Sequence, residues 1–130
     1  MDEFSVRAVG RVESSVRGRG DAPRQGAEGA PAAWLVLDDG LARAYSDLLV
    51  GDRVVVLTWL DRADRSVLEV HPRDDMSAPM RGVFSTRSAD RPNPIGLHPV
   101  TIVEVDGARI RVEPLEAFDG TPVIDIKPEL

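Results

Sequence analysis

The sequence predicts an all-β, single-domain protein: a β-barrel or a strongly curled antiparallel sheet with one short helix. Most of the apolar residues fall in short runs that are β-branched or alternate with polar residues. Only one segment has helical spacing, and glycines and prolines separate the runs. A chain of 130 residues can bury one core but not two, so residues 1–130 are expected to form one domain.

The first third of the chain predicts two strands and a long loop between them. Residues 4–12 and residues 33–37 are the two apolar runs. Residues 14–32 contain four glycines, two prolines and no apolar period. A loop of this length is uncommon inside a compact domain unless it is functional or disordered. Because Pro23, Arg24 and Gln25 lie inside it, we favour a loop that is ordered by a ligand over a simple linker.

The helix is predicted at residues 41–49, where the apolar residues recur at intervals of three and four. Asp38 and Asp39 suit the positive end of the helix dipole, and Gly51 follows the last turn. Residues 53–60 are then a buried strand rather than a helix because the run is rich in β-branched residues. Residues 66–70 are predicted to be a further short strand.

The remaining strands are predicted at residues 82–86, 100–105, 108–113 and 123–126. Asp106 and Gly107 lie between two of these runs and form the strongest short hairpin signal. In residues 108–113 apolar and charged side chains alternate, which indicates a sheet with one face in water.

Composition limits the class of protein. The chain has no cysteine, no apolar run near the roughly 18 residues that cross a membrane, and a start unlike a signal peptide, so we expect a cytoplasmic protein without a membrane segment. The net charge of −6 argues against a general nucleic-acid binder. Arginines nevertheless concentrate at residues 17–24 and 81–91, and folding that joins these segments would create one basic face. The alternative is a set of solvated arginines.

Residues 81–97 combine three arginines, two glycines and a Pro-Asn-Pro sequence. Each proline fixes its own φ and restrains the preceding residue, so the segment is stiff and extended. Such a loop suits a polar ligand, with Arg87 as the partner of a carboxylate or phosphate because guanidinium offers a planar two-point fork. It is also compatible with a simple crossover between strands.

Four motifs, in order, resemble the TrmO (YaeB-like, TsaA) family of S-adenosylmethionine-dependent tRNA methyltransferases. They are Pro-Arg-Gln at 23–25, Gly-Val-Phe-Ser-Thr-Arg-Ser at 82–88, Arg-Pro-Asn-Pro-Ile-Gly at 91–96 and Asp-Gly-Thr-Pro-Val-Ile-Asp-Ile-Lys-Pro at 119–128. The resemblance covers nearly the whole chain and implies a β-barrel rather than a Rossmann fold. It also implies a homodimer with the donor site near the subunit boundary, S-adenosyl-L-methionine as cofactor, and no metal.

The resemblance implies site residues as well. Contacts to the donor are expected from Pro23, Arg24, Gln25, Asp61, Arg62, Arg87, Leu97, Leu115, Glu116, Ala117 and Phe118. Contacts to RNA are expected from Arg81, Arg91 and Lys127, and Asp119 or Asp125 is the candidate for accepting a proton. Considered singly, Leu97 and Phe118 would be core residues, and Asp125 with Lys127 a surface ion pair.

The chain departs from the family pattern at four positions. The family commonly has histidine at the position of Asp61, aspartate at Glu116, tyrosine at Glu129 and a small polar residue at His98. The changes at Asp61 and Glu116 touch the donor pocket. His98 is either a base or a structural histidine.

The leading hypothesis is transfer of a methyl group to the exocyclic nitrogen of N6-threonylcarbamoyladenosine, next to the anticodon of threonine tRNA. One alternative is a small-molecule methyltransferase, favoured by the acidic net charge, the changed pocket residues and the lack of a C-terminal extension that longer family members carry. The other is a non-catalytic module that senses S-adenosylmethionine and binds a protein partner.

Overall fold

Eight strands occur in the part of the chain that this computed structural model describes, residues 1–18 and 30–130. They are β1 (Gly10–Glu13), β2 (Ala33–Leu37), β3 (Arg53–Trp59), β4 (Glu69–Val70), β5 (Arg81–Gly82), β6 (Ile95–Asp106), β7 (Arg109–Glu113) and β8 (Pro122–Pro128). One short α-helix, α1 (Ala42–Tyr45), and three single-turn 3₁₀-helices (Asp39–Leu41, Pro72–Asp74 and Val83–Ser85) complete the described elements. None of these helices is long and apolar enough to cross a membrane.

Six of the strands form a closed antiparallel barrel in the order β1-β2-β7-β6-β3-β8. The ring closes between β1 and β8, where Gly10 pairs with Val123 and Arg11 with Pro122. β4 and β5 form a separate two-stranded sheet. The predicted all-β fold, a barrel or curled sheet with one short helix, is therefore confirmed.

The core fills the inside of the barrel with side chains from alternate positions of its strands. Alternation is clearest in β6, where every second residue from Gly96 to Ile102 is buried. The fully buried members include Leu35, Val56 and Ile110. Each such side chain contributes about 1.5–3 kcal/mol by leaving water. Two polar side chains also point into the core: Thr58 on β3 and His98 on β6.

The hairpin predicted at Asp106 and Gly107 is confirmed: β6 and β7 pair on either side of the turn, and Gly107 has φ +60°. The helix is shorter than the predicted 41–49, because a 3₁₀ turn precedes it and separate turns follow it. Asp38 caps the first turn by accepting a hydrogen bond from Gly40 N at 2.8 Å. Asp52 accepts one from Leu49 N at 3.0 Å, which ends the helical path before Gly51.

Four strand predictions, 4–12, 66–70, 82–86 and 100–105, differ most from the observed bounds. Residues 4–9 precede β1 rather than belonging to it, because β2 ends opposite Gly10 and β1 pairs with β8 only at Gly10 and Arg11. Phe4 is accordingly 91% exposed. Residues 66–70 reduce to β4, and 82–86 to the end of β5 and a 3₁₀ turn. β6 begins at Ile95 instead of residue 100, because β3 continues to pair with it as far as Trp59.

The connection between β3 and β6, residues 60–94, stands outside the barrel and is called the excursion below. Its two ends are joined by the hydrogen bond from Leu60 N to Pro94 O at 2.8 Å. Arg65 donates to Pro92 O at 2.7 Å and to Asn93 Oδ1 at 2.9 Å, while its guanidinium lies 5.1 Å from the centre of the Trp59 ring. The stiff Pro-Asn-Pro segment is thus held against the start of the excursion.

Candidate functional site

A chain of three hydrogen-bonded side chains runs from the core of the barrel to its surface. Thr58 Oγ1 lies 2.7 Å from His98 Nε2, and His98 Nδ1 lies 2.9 Å from Glu116 Oε1. The exposed fraction rises along the chain: Thr58 is fully buried, the His98 side chain is 5% exposed and the Glu116 side chain 21%. Because Nδ1 faces a carboxylate, a neutral ring with its proton on Nδ1 satisfies all three groups, with the Thr58 hydroxyl donating to Nε2.

Strand register creates this arrangement. β3 and β6 pair Val56 with His98 and Thr58 with Gly96, so Thr58 and His98 are diagonal neighbours on the inner face. A Cβ atom at Gly96 would lie 2.5 Å from His98 Nε2 and would also clash with Thr58 Oγ1. Glycine at this position is therefore what leaves room for the imidazole beside the hydroxyl.

Glu116 is the charged end of the chain. Burial of its carboxyl raises the pKa, but the hydrogen bond and attraction of His98, with a smaller attraction from Arg87, outweigh burial and leave the pKa below its ordinary value of 4.5. The carboxylate is therefore ionised at neutral pH while most of its surface is out of water. Such a group favours a cationic partner.

The segment that carries Glu116, residues 115–118, alternates between the core and the surface. Leu115 and Ala117 are buried in the core, whereas Glu116 and Phe118 are partly exposed. The backbone of the next two residues is tied to β1 and the chain after it: Asp119 N donates to Val16 O at 2.6 Å. This anchoring fixes the segment against the barrel.

Arg62 joins three parts of the chain around Phe118. Its guanidinium lies 4.9 Å from the centre of the Phe118 ring, and its Nη1 donates to Arg17 O at 2.8 Å. The start of the excursion, the 115–118 segment and the end of residues 1–18 therefore meet here. The arrangement places a fixed cation against the Phe118 ring, and Phe118 follows Glu116 closely in the sequence.

Other predicted donor residues are distributed around this point. Asp61 is exposed beside Arg62, and Leu97, 46% exposed, lies on the outer face of β6 next to His98. The side chains of Leu115 and Ala117 are committed to the core, so only their backbone groups can meet a ligand. Residues 23–25 (Pro23, Arg24 and Gln25) lie outside the described residues. The donor roles of all these residues stay predictions.

The two candidate bases differ in their surroundings. Asp119 is half-buried, and its Oδ1 accepts a hydrogen bond from Ser14 N at 2.9 Å. Asp125 is exposed on β8, where it accepts from Ile126 N at 2.9 Å and lies 3.5 Å from Lys127 Nζ. Both carboxylates therefore already have a protein partner. Neither base assignment is tested by this geometry.

The arginines expected to contact RNA also divide into two kinds. Arg81 is exposed on β5. Arg91 is half-buried, and its Nη2 donates to the backbone oxygens of Val83 and, at 3.0 Å, Thr86. Arg91 thereby holds the turn that precedes Arg87. Much of the second basic segment, residues 17–24, lies outside the described residues, so the basic face stays a prediction.

Two surface clefts of about 470 and 410 Å³ lie beside α1. The smaller is lined in part by Lys127 and Ile126, and neither is lined by His98, Glu116 or Arg87. We favour the region around Glu116 as the site, because the Glu116 carboxylate is hydrogen-bonded to His98 and the Phe118 ring follows closely in the chain. Among the described histidine, aspartate and glutamate side chains, no cluster of three could hold a metal ion.

Sequence reasoning did not single out Thr58, or the contact of His98 with Glu116. A signal was present, since His98 shares the inward phase of Val100 and Ile102. Arg65 was also missed as the residue that holds the Pro-Asn-Pro segment.

Comparison with known proteins adds a family and several relatives. Residues 11–130 match the family model described as the tRNA-methyltransferase O N-terminal domain. An S-adenosyl-L-methionine-binding protein of Archaeoglobus fulgidus is 41% identical, over 94% of this chain and 86% of that protein. A probable S-adenosyl-L-methionine-binding protein of Methanothermobacter thermautotrophicus is 43% identical, over 97% of this chain and 90% of that protein.

Solved structures agree with the fold. A crystal structure of TrmO from Pseudomonas aeruginosa superposes with a TM-score of 0.78 at 28% identity, and the match covers all of this chain. The chain spans only 56% of that solved chain.

Proposed function

The chain belongs to the tRNA-methyltransferase O N-terminal domain family, and from this premise we propose that it is an S-adenosyl-L-methionine-dependent methyltransferase acting on tRNA. The acceptor is the exocyclic nitrogen of N6-threonylcarbamoyladenosine next to the anticodon of threonine tRNA. The observation that carries the proposal is the ionised, largely buried Glu116 carboxylate near Arg87, in a chain whose relatives are named for S-adenosyl-L-methionine.

The donor is S-adenosyl-L-methionine, and opposite charges on the protein suit its amino-acid end. Arg87 pairs with the carboxylate of the donor, because a guanidinium matches a carboxylate with two parallel hydrogen bonds. Phe118, with Arg62 behind it, gives the adenine an aromatic face. Residues 23–25 and Asp61, Leu97, Leu115 and Ala117 complete the donor contacts.

Methyl transfer needs alignment more than covalent chemistry, because the sulfonium is already activated. The nitrogen of the acceptor forms a bond to the methyl carbon while the carbon–sulfur bond breaks, and the neutral thioether leaves. The acceptor nitrogen releases one proton, which Asp119 or Asp125 accepts. Holding two reactants in line can lower the activation barrier by up to roughly 7–11 kcal/mol. The main contribution of this chain to the reaction is therefore the stiff loop around Arg87 and Arg91, which holds the donor in place.

RNA binding relies on a local positive surface, since the whole chain carries a net charge of −6. Arg81 and Lys127 are exposed and available for phosphates, and Arg91 contributes its charge from a half-buried position. The protein acts in the cytoplasm as a homodimer, and the exposed Leu97 on the outer face of β6 is available for contact with a second subunit.

The test is incubation of the pure protein with radiolabelled S-adenosylmethionine and tRNA from cells that carry or lack threonylcarbamoyladenosine. We expect label only in the modified tRNA. The matched control is an Arg87→Ala variant, which is expected to lose transfer and keep its fold.

Two other results would replace this function. Donor binding with transfer to small metabolites but not to RNA would establish a small-molecule methyltransferase, which the acidic net charge favours. Donor binding with no transfer to either would establish a sensor of S-adenosylmethionine.

A further inference from the structure

The described part of the chain holds His98 between two groups of different kinds, one fully buried and one at the surface. A histidine that served only to fill the core would need no carboxylate partner. Here the ring spans from Thr58, at 0% exposure, to Glu116, whose side chain still reaches solvent. The two distances, 2.7 and 2.9 Å, are those of well-formed hydrogen bonds.

Both nitrogens of His98 are occupied, and this fixes the orientation of the ring. Thr58 comes from β3, a strand paired on both sides within the barrel, so its hydroxyl is a rigid reference point. Rotation of the imidazole would break both hydrogen bonds and leave buried polar atoms without partners, which is unfavourable. The Nδ1–H group is therefore aimed in one direction.

Glu116 is the group that this direction controls. The contact with His98 uses Oε1 of the carboxylate, and the Glu116 side chain is still 21% exposed, so a ligand can reach the carboxylate from the solvent side. Glutamate has three rotatable bonds, so an unsupported side chain on the 115–118 segment would sample many positions, and ordering it costs conformational entropy. The hydrogen bond from His98 removes that cost before a ligand arrives.

We propose that His98 is a positioning residue that holds Glu116 so that the carboxylate binds the α-ammonium group of the donor, opposite the Arg87 that takes the donor carboxylate. The inference rests on the proposed use of S-adenosylmethionine. The ammonium group suits an ionised carboxylate better than the sulfonium or the adenine amino group of the donor does. The sulfonium has no N–H to donate, and the adenine amino group carries no charge to match an ionised carboxylate.

The consequence is a site that recognises the amino-acid end of the donor as a zwitterion. Glu116 and Arg87 have opposite charges and lie close enough for Arg87 to stabilise the ionised carboxylate. An ammonium and a carboxylate on one carbon can satisfy both. His98 acts through Glu116 and does not itself contact the ligand.

The test compares two ligands that differ at the amino-acid end of the donor. S-Adenosylhomocysteine has the ammonium and carboxylate, whereas 5′-methylthioadenosine lacks the whole amino-acid portion. Calorimetry with His98→Ala is expected to show binding of S-adenosylhomocysteine weakened about tenfold or more. Binding of 5′-methylthioadenosine is expected to stay within about twofold of the wild-type value, because that ligand never reaches Glu116.

Two further variants distinguish positioning from simple core packing. The side-chain nitrogen of His98→Asn lies near the place of Nδ1 and can still donate to Glu116, whereas that of His98→Gln lies near the place of Nε2 and cannot. We expect His98→Asn to keep most of the affinity for S-adenosylhomocysteine and His98→Gln to lose it. This pair also serves if His98→Ala does not fold.

The outcomes separate the two proposals. Equal weakening for both ligands, equal behaviour of His98→Asn and His98→Gln, or unchanged affinity in all variants would overturn the positioning role and leave the methyltransferase proposal standing. Failure of the wild-type protein to bind either ligand would overturn the donor itself, and with it both proposals.

Discussion

Replacing Gly96 with alanine tests the geometry of the buried chain of hydrogen bonds most directly. The new Cβ would lie 2.5 Å from His98 Nε2 and would clash with Thr58 Oγ1, so both hydrogen-bonding atoms have to move. Overpacking of this kind costs about 1–3 kcal/mol. Separating the hydroxyl from the imidazole inside the core adds about 1–3 kcal/mol for polar groups left without a partner.

The expected loss is therefore about 1–5.5 kcal/mol in the free energy of unfolding, after allowing about 0.4–1 kcal/mol for the stiffer unfolded chain of any glycine-to-alanine change. A domain of this length has roughly 7–20 kcal/mol in total, so the Gly96→Ala variant should fold but unfold at clearly lower denaturant. The assay is urea unfolding followed by the fluorescence of Trp34 and Trp59.

Gly82 supplies the matched control. No atom lies within 4 Å of the position that its Cβ would take, and its φ of −59° suits alanine. Gly82→Ala is expected to be neutral or slightly stabilising. If Gly96→Ala were within about 0.5 kcal/mol of wild type, the close approach of Thr58 and His98 to this glycine would be incorrect.

Three further predictions concern charged residues. Arg87→Ala should weaken binding of S-adenosylmethionine about tenfold or more by calorimetry while the exposed Arg43→Ala leaves it unchanged, and equal affinities would remove Arg87 from the donor site. Burial raises the pKa of Glu116, but His98 and Arg87 lower it by more, so the pKa in the folded state is below 4.5. The ionised carboxylate therefore stabilises the fold fully above pH 4.5, and this stabilisation is lost as the pH falls through the folded pKa. The stability difference between wild type and Glu116→Gln should accordingly shrink below pH 4.5 in urea unfolding at several pH values, and a difference independent of pH would contradict this. Arg91→Lys keeps the charge but loses the planar fork that meets two backbone oxygens, so thermal unfolding should show a loss of about 1–3 kcal/mol; unchanged stability would mean that those contacts are not formed.

The barrel was predictable because its strands carry local signals. Period-two alternation in residues 108–113 and the Asp106–Gly107 turn fix a hairpin without reference to the rest of the chain. The run of β-branched residues in β3 likewise reads as a strand at any position in a fold. In these two segments the local signal and the structure agree.

The bounds of β6 and the first strand were not predictable in the same way. Two prolines and a glycine obscure the start of β6, which is set by the length of β3 beside it. Residues 4–9 look like a strand by propensity, but a strand needs neighbours. β2 ends opposite Gly10, and the pairing of β1 with β8 also ends at Gly10. In both segments the neighbouring strands determine where the strand begins, and the sequence of the segment itself carries no information about those neighbours.

The candidate site shows the same division. Arg87 and Glu116 could be identified from motifs, whereas the contact of His98 with Glu116 joins residues 18 positions apart in the sequence across a hairpin. The diagonal placement of Thr58 beside His98 depends on a strand register that no local pattern specifies. Sequence therefore suggested candidate residues for the site but did not predict the hydrogen bonds that join Thr58, His98 and Glu116.

Closure of the barrel through β8 also has a consequence for how the protein is made. β8 pairs with both β1 and β3, so a nascent chain that lacks it can form at most an open sheet in the order β1-β2-β7-β6-β3. Such an intermediate exposes two strand edges, which are templates for pairing with other chains. Closure waits until residues 122–128 leave the ribosome, and contacts so distant in sequence form slowly. The interval between the emergence of β7 and that of β8 is therefore when the nascent chain exposes strand edges that can pair with other chains.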